Sequence, residues 1–288
     1  MDMDRVAPGL ERLVDKDAPL DRIAYGTTFA EGPVWDKRNK QLFWVDIIGN
    51  TIWKWKPGVG KEVVLRPSGH ANGMTFDKQG RLTVAGWSLR TIWRFEHDGS
   101  ITTIATDYKG KKFNSPNDIV VHSSGRTYWT DSAGGLVIPG MVAEDCQRYL
   151  DVQGVFSLSP DGKKVSLAIA DCTYPNGLCF SPDEKILYVN DSRLGLIRAF
   201  KVNDDGSVGA GRRASRGIGT RADGGAGTRR LVEVHVEQQF AETVDARHRR
   251  TQFVRGMRQK LAFHAIDFGF ERDVADVEDA RQGGRPAA

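Results

Sequence analysis

The sequence predicts an all-β fold, a β-propeller, and two observations lead there. One motif is stated four times before about residue 206, at steps of 41, 45 and 59 residues. Each statement consists of short runs of β-branched and aromatic residues separated by Asp, Lys, Asn and Gly, the pattern of antiparallel strands joined by tight turns. Periods of that size suit repeated four-stranded blades. A β-sandwich is the alternative, but sandwiches do not normally repeat a motif at these intervals.

The four statements follow in order. "EGPVWDKRNKQLFWVDIIGNTIWKW" begins at Glu31, and "NGMTFDKQGRLTVAGWSLRTIWRF" begins at Asn72. "NDIVVHSSGRTYWTDSAGG" begins at Asn117, and "NGLCFSPDEKILYVNDSRLGLIRAF" at Asn176. In each, a polar residue opens an apolar run, a turn follows, and a second run completes a hairpin. Three of them place an Asp 14 or 15 residues after the opening, at Asp46, Asp131 and Asp191; the second has Gly86 and Trp87 there. A third strand is expected over Ile52–Trp55, Ile92–Phe95 and Ile197–Phe200, and an insertion around 136–153 accounts for the longest step. Trp53 and Trp55 alternate along a strand, so they face opposite sides and read as packing residues.

Repetition has a functional consequence. Equivalent positions of successive blades face one central channel, so Glu31, Asn72, Asn117 and Asn176 are expected to converge at one end of it. One carboxylate and three amides offer only oxygen donors, which suits a hard cation such as Ca²⁺ or Mg²⁺. The alternative is that each Asn makes an Asx turn leading into its strand.

Charge divides the chain. Residues 1–206 hold 26 Lys/Arg and 26 Asp/Glu, whereas residues 207–288 hold 15 and 11, so the later part supplies the whole net charge of +4. All seven Trp, all six Tyr and ten of eleven Pro precede 207, while 14 of the 15 later cations are Arg. The expected organisation is therefore 1–211 as propeller blades and 212–288 as an atypical Arg/Gly/Ala-rich tail. Such a break is expected of a segment read out of frame or joined from an unrelated sequence, although "LVEVHVEQQFAETVDARHRRTQFVRGMRQKLAFHAI" has some helical spacing. Blades left incomplete expose strand edges, which predicts aggregation.

Several function classes are set aside. The tail's Arg cluster is offset by "ERDVADVEDA" and carries no nucleic-acid motif. "GAGRRA" lacks the strand–helix context of a dinucleotide fingerprint. There is no G-x-S-x-G elbow for a serine nucleophile, and the six His form no ligand spacing. Cys146, Cys172 and Cys179 show no CxxC spacing and read as reduced, small apolar residues. No apolar run is long enough to span a membrane, and the charged N-terminus lacks a signal core, so a cytoplasmic location is expected.

"EGPVWD", "NSPNDIVV…GRTYWTD" and "PNGLCFSPDEKILYVNDS" resemble the gluconolactonase, regucalcin and senescence-marker-protein family of six-bladed propellers, over about residues 20–211. The resemblance implies hydrolysis of a small sugar lactone with a divalent cation, Ca²⁺ first, with Zn²⁺, Mg²⁺ and Mn²⁺ as alternatives. Carried over by motif, Glu31 and Asn176 would ligate the metal, and Asn117 would contact metal-bound water or substrate. Asn72 and His70, in "HANG", would lie on the substrate side. The family also uses an Asp from a later "PDGM"-like motif as ligand and acid/base. Here the position at a comparable distance is Asp223 in "ADGG", 47 residues beyond Asn176, without the expected apolar strand around it. A lactonase and a non-catalytic propeller that binds a cation or small ligand are both left open.

Overall fold

The computed structural model describes residues 22–216. Four four-stranded antiparallel sheets follow one another, each a simple meander whose strands pair in chain order. The first holds β1 (Ala30–Asp36), β2 (Gln41–Asp46), β3 (Thr51–Lys56) and β4 (Gly60–Leu65). The second holds β5 (Ala71–Phe76), β6 (Leu82–Gly86), β7 (Thr91–Phe95) and β8 (Ile101–Ala105). A short hairpin, β9 (Asp107–Tyr108) with β10 (Lys111–Lys112), leads to the third. That sheet holds β11 (Ser115–Val121), β12 (Thr127–Ser132), β13 (Gln153–Leu158) and β14 (Val165–Cys172). The fourth holds β15 (Pro175–Phe180), β16 (Ile186–Asp191), β17 (Leu196–Val202) and β18 (Val208–Arg216). Each repeated motif is thus the first hairpin of a blade. The change in composition after 206 falls where β17 hands over to β18, and their pairing continues to Leu196 opposite Arg216.

The first strands touch in succession, β1 on β5, β5 on β11 and β11 on β15, so these four strands line the axis of a propeller. The core lies between blades. Side chains alternate across a strand, so each central strand feeds two interfaces. Val84 packs toward the first blade in a cluster with Val45, Ile52, Met74 and Trp93, while its neighbour Ala85 packs toward the third with Ile119, Trp129 and Phe156. Tyr128 and Val155 face the opposite way, joining Leu178, Phe180, Leu187 and Phe200 between the third and fourth blades. Burial on both faces is why the second strands read as nearly continuous apolar runs. Phe113, Trp129 and Phe156 form the aromatic centre of the middle interface, with Phe113 edge-on to Trp129 at 5.2 Å. Trp44 and Trp53 stack on the first blade at 6.4 Å, with the Lys61 ammonium 4.0 Å from the Trp53 ring centre.

Candidate functional site

All four first strands carry the same irregularity. Between Ala71 and Met74 the chain advances three residues while the partner strand advances two, from Gly86 to Val84. The same count holds from Pro116 to Ile119 against Asp131 to Trp129, and from Pro175 to Leu178 against Asp191 to Val189. In β1 the extra residue falls between Glu31 and Val34. A bulge of one residue unpairs the backbone and re-aims the side chain beside it. Ala30, Ala71, Pro116 and Pro175 pair with Asp46, Gly86, Asp131 and Asp191, so Glu31, Asn72, Asn117 and Asn176 are register equivalents: the three Asn stand one step into their bulges, and Glu31, still paired with Val45, stands at the edge of its own. The same rung is therefore occupied four times. Glu31, Asn72 and Asn117 are buried and Asn176 is half-buried.

The glycine after the opening residue has a different cause from a turn. A Cβ on Gly32 would overlap the Asn72 carbonyl oxygen, and one on Gly73 would lie 2.5 Å from the Asp118 Cα and 2.7 Å from the Asn117 carbonyl oxygen. Gly32 has φ +54, but neither Gly73 nor Gly177 is left-handed. At Gly32 and Gly73 the small residue is required because the neighbouring inner strand passes against it, whereas Gly177 lies nearest the Asn190 side chain of its own blade. Those contacts bring the first three bulges together, blade against blade. The third blade puts Asp118 where the others have Gly. Its carboxylate accepts from its neighbour's N–H, Ile119, at 3.0 Å and reaches across to the Leu178 N–H at 3.2 Å. Thr130 Oγ bridges the same two blades, accepting from Asp118 N–H and donating to the Asn176 carbonyl. Asn190 accepts from the Gly177 N–H. Sequence reasoning passed over Asp118 and Thr130; the signal was the one Asp standing in a column of glycines.

The recurrent Asp is a structural bracket. Asp46 accepts from the N–H groups of Thr28 (2.8 Å) and Phe29 (2.9 Å), which lead into β1, and from Gly49 (2.9 Å) in its own turn. Asp191 does the same with Thr173, Tyr174 and Leu194. Asp131 accepts from Asn114 N–H at 2.8 Å and is fully buried, which pushes its carboxyl up to about 7 against the opposing pull of the Asn114 and Ser115 N–H groups and Arg90. For the second blade Asn50, in the β2–β3 turn of the first, takes over, its side-chain oxygen accepting from the Ser68 and His70 N–H groups at 2.9 and 2.8 Å. His70 has φ +51, and its Nδ1 donates to the Ile47 carbonyl at 2.6 Å. His70 is therefore tied to the wall between the first two blades, two residues before Asn72.

Asp223 lies outside the described residues. Among the described residues no group of three or more His, Cys, Asp or Glu is clustered to hold a metal. The donor chemistry of the bulge ring is nonetheless oxygen throughout, a carboxylate with three amides, and that set fits a hard cation. The cysteines are free, and burial pushes the Cys172 thiol up to about 12, far from a reactive thiolate. No helix among the described residues is long and apolar enough to cross a membrane.

Residues 29–227 match the family model described as the SMP-30/Gluconolactonase/LRE-like region. A gluconolactonase from Zymomonas mobilis subsp. mobilis is 37% identical over 202 residues, covering 65% of this chain and 56% of that one. The solved structure of a gluconolactonase from Xanthomonas campestris aligns with a TM-score of 0.68 at 32% identity, covering 74% of this chain and 72% of that one. A calcium-binding regucalcin from Agrobacterium tumefaciens aligns with a TM-score of 0.53 at 18% identity over 66% and 60% of the two chains, a likeness of fold. The chain spans about half the length of the curated relatives it matches.

Proposed function

This chain belongs to the SMP-30/gluconolactonase/LRE-like family, and from that premise we propose that it hydrolyses a small sugar lactone at the channel end formed by the four bulges. The observation that carries the reading is the register equivalence of Glu31, Asn72, Asn117 and Asn176. Amide side chains do not ionise; each offers an oxygen to a cation or hydroxyl and an N–H₂ to a carbonyl or ring oxygen. Asn72 and His70 bind and orient the lactone from the second blade, and Asn117 holds the attacking water or the substrate. Glu31, Asn117 and Asn176 would hold a divalent cation, Ca²⁺ by preference for an all-oxygen set. When bound, such an ion supplies Lewis-acid stabilisation of charge on the carbonyl oxygen. Attack of water on the lactone carbonyl releases a proton that a carboxylate takes and returns to the leaving alkoxide. The candidate the sequence offers for that transfer is Asp223; with no carboxylate at that place the chain is an impaired lactonase.

A binding-only reading has one observation in its favour. Only one of the four equivalent positions is anionic, and calcium affinity falls with each carboxylate lost. Hydrolysis of gluconolactone, followed with and without Ca²⁺, Mg²⁺, Mn²⁺ or Zn²⁺, separates the two. Activity that is abolished by a chelator, restored by one ion and lost in Glu31→Ala supports the lactonase. A Ca²⁺-dependent rise in melting temperature without hydrolysis leaves binding alone. Asp223→Asn is expected to lower kcat by about 10²–10⁴, the usual cost of a missing general base; unchanged kcat removes Asp223 from the mechanism.

A further inference from the structure

The longest connection among the described residues joins β12 to β13, residues 133–152, and it stands where the other blades have four-residue turns. It lies at the bulge end, because Asp131 at the end of β12 is opposite Pro116. Its start is wedged against the approaches to two bulges. Gly135 N–H donates to Ser115 Oγ at 2.9 Å, and a Cβ on Gly134 would overlap the Tyr174 hydroxyl and lie 2.5 Å from the Trp87 ring. Ser115 and Tyr174 each precede an opening residue, Asn117 and Asn176, by two positions. The connection then crosses to the second blade, where the Met141 carbonyl accepts from Trp87 Nε1 at 3.0 Å and Ser88 Oγ at 2.8 Å. Trp87 is the residue beside Gly86, the position where the other three blades carry their bracketing Asp. Met141 is buried in the apolar cluster that contains Ile47 and Ala71.

Arg90 secures the far part. It is 3% exposed and held at φ +60, a conformation side chains adopt at a cost. Its Nε donates to the Phe113 carbonyl at 2.6 Å, and its Nη1 donates to the Asp145 and Gln147 carbonyls at 2.7 and 3.0 Å. The Asp145 carboxylate is 3.7 Å from the same nitrogen, and the Tyr149 ring covers the guanidinium at 5.3 Å. One planar cation thus joins the base of the third blade to two carbonyls of the connection. A lysine has a single point of charge and cannot span that fork.

We propose that residues 133–152 form a fixed wall of the channel mouth, and that Arg90 is the positioning residue that sets how large a lactone passes it. The lactone half of this statement rests on the function proposed above; the wall itself does not. Arg90→Lys and Arg90→Ala test it together with Tyr149→Leu, which loosens the same clamp without removing the cation. Hydrogen exchange is expected to accelerate by about tenfold or more over 134–150 while β5–β8 are unchanged. With Asn176→Cys as a reporter, read by peptide mass to separate it from Cys146, Cys172 and Cys179, the labelling rate of a bulky maleimide relative to a small one should rise several-fold. The ratio of kcat/KM for a bulky lactone over gluconolactone should rise in parallel, through KM and not kcat. Faster exchange with unchanged labelling and substrate ratios overturns the wall, and unchanged exchange overturns the role of Arg90. A wild-type chain that hydrolyses no lactone sinks the proposed function, whereas the labelling ratio still decides the wall.

Discussion

Removing the Asp46 carboxylate should separate the bracket from the fold it closes. Asp46 is 3% exposed, and its two oxygens accept three backbone N–H bonds between 2.8 and 2.9 Å. Hydrogen bonds to a charged group contribute about 1.5–3 kcal/mol each, and neutral ones about 1 kcal/mol. The N–H groups of Thr28, Phe29 and Gly49 lie at a partly open rim, so water regains some of that loss. Asp46→Ala is therefore expected to cost about 3–5 kcal/mol, and Asp46→Asn, which keeps one carbonyl oxygen, about 1–2 kcal/mol. Urea unfolding reads this as a drop in midpoint of about 1 M or more at unchanged m, taking m as roughly 2–3 kcal/mol/M. A second change makes the test specific. A Cβ on Gly49 would overlap the Asp46 carboxylate, so Gly49→Ala should destabilise the native chain but cost little once Asp46 is Ala. A loss below about 1 kcal/mol for Asp46→Ala, or additive costs in the double variant, would refute the bracket.

Three more outcomes are expected. The buried Asp131 keeps a proton that the unfolded chain, with an ordinary carboxylate near 3.8, releases. Its favourable share of stability is therefore complete below pH about 4 and is lost as the pH climbs to about 7, a fall of at most about 4 kcal/mol; urea midpoints measured between pH 5 and 8 should slope downward in the native chain and flatten in Asp131→Asn, and parallel curves would contradict this. Phe113→Ala empties a fully buried site against Trp129 and Phe156, so a loss of about 3–5 kcal/mol should appear in the same unfolding experiment, with a much smaller loss arguing that the blades close over the gap. Gly73→Ala drives a methyl group into the backbone of the next blade and should cost about 1–3 kcal/mol, while Gly177→Ala, whose nearest neighbour is the Asn190 side chain at 3.2 Å, should be milder; equal losses would mean that inter-blade approach is not what the glycine serves.

Family kinship and the residues of the bulge ring were both present in the repeat. Asn72, Asn117 and Asn176 were visible as a column because each strand repeats its local chemistry, and the register of four separate sheets keeps them on one rung. The Asp column was equally visible, but its purpose was not. Nothing in the spacing of Asp46, Asp131 and Asp191 says that their oxygens close the path into each blade, since their N–H partners lie 17 or 18 residues earlier. The second blade shows the limit most clearly. Gly86 stands at its Asp position, Asn50 of the preceding blade brackets the chain instead, and the adjoining Trp87 holds the long connection.

The first hairpin of each blade and the column of polar residues were legible in the sequence, because period, turn chemistry and β-branched runs act between near neighbours along the chain. Tertiary structure alone decided why glycine follows the opening residue, why Asp118 departs from it, and why Arg90 is buried. Each of those answers to a surface some tens of residues away, and although the glycines do recur along the chain, nothing in their spacing says what they face.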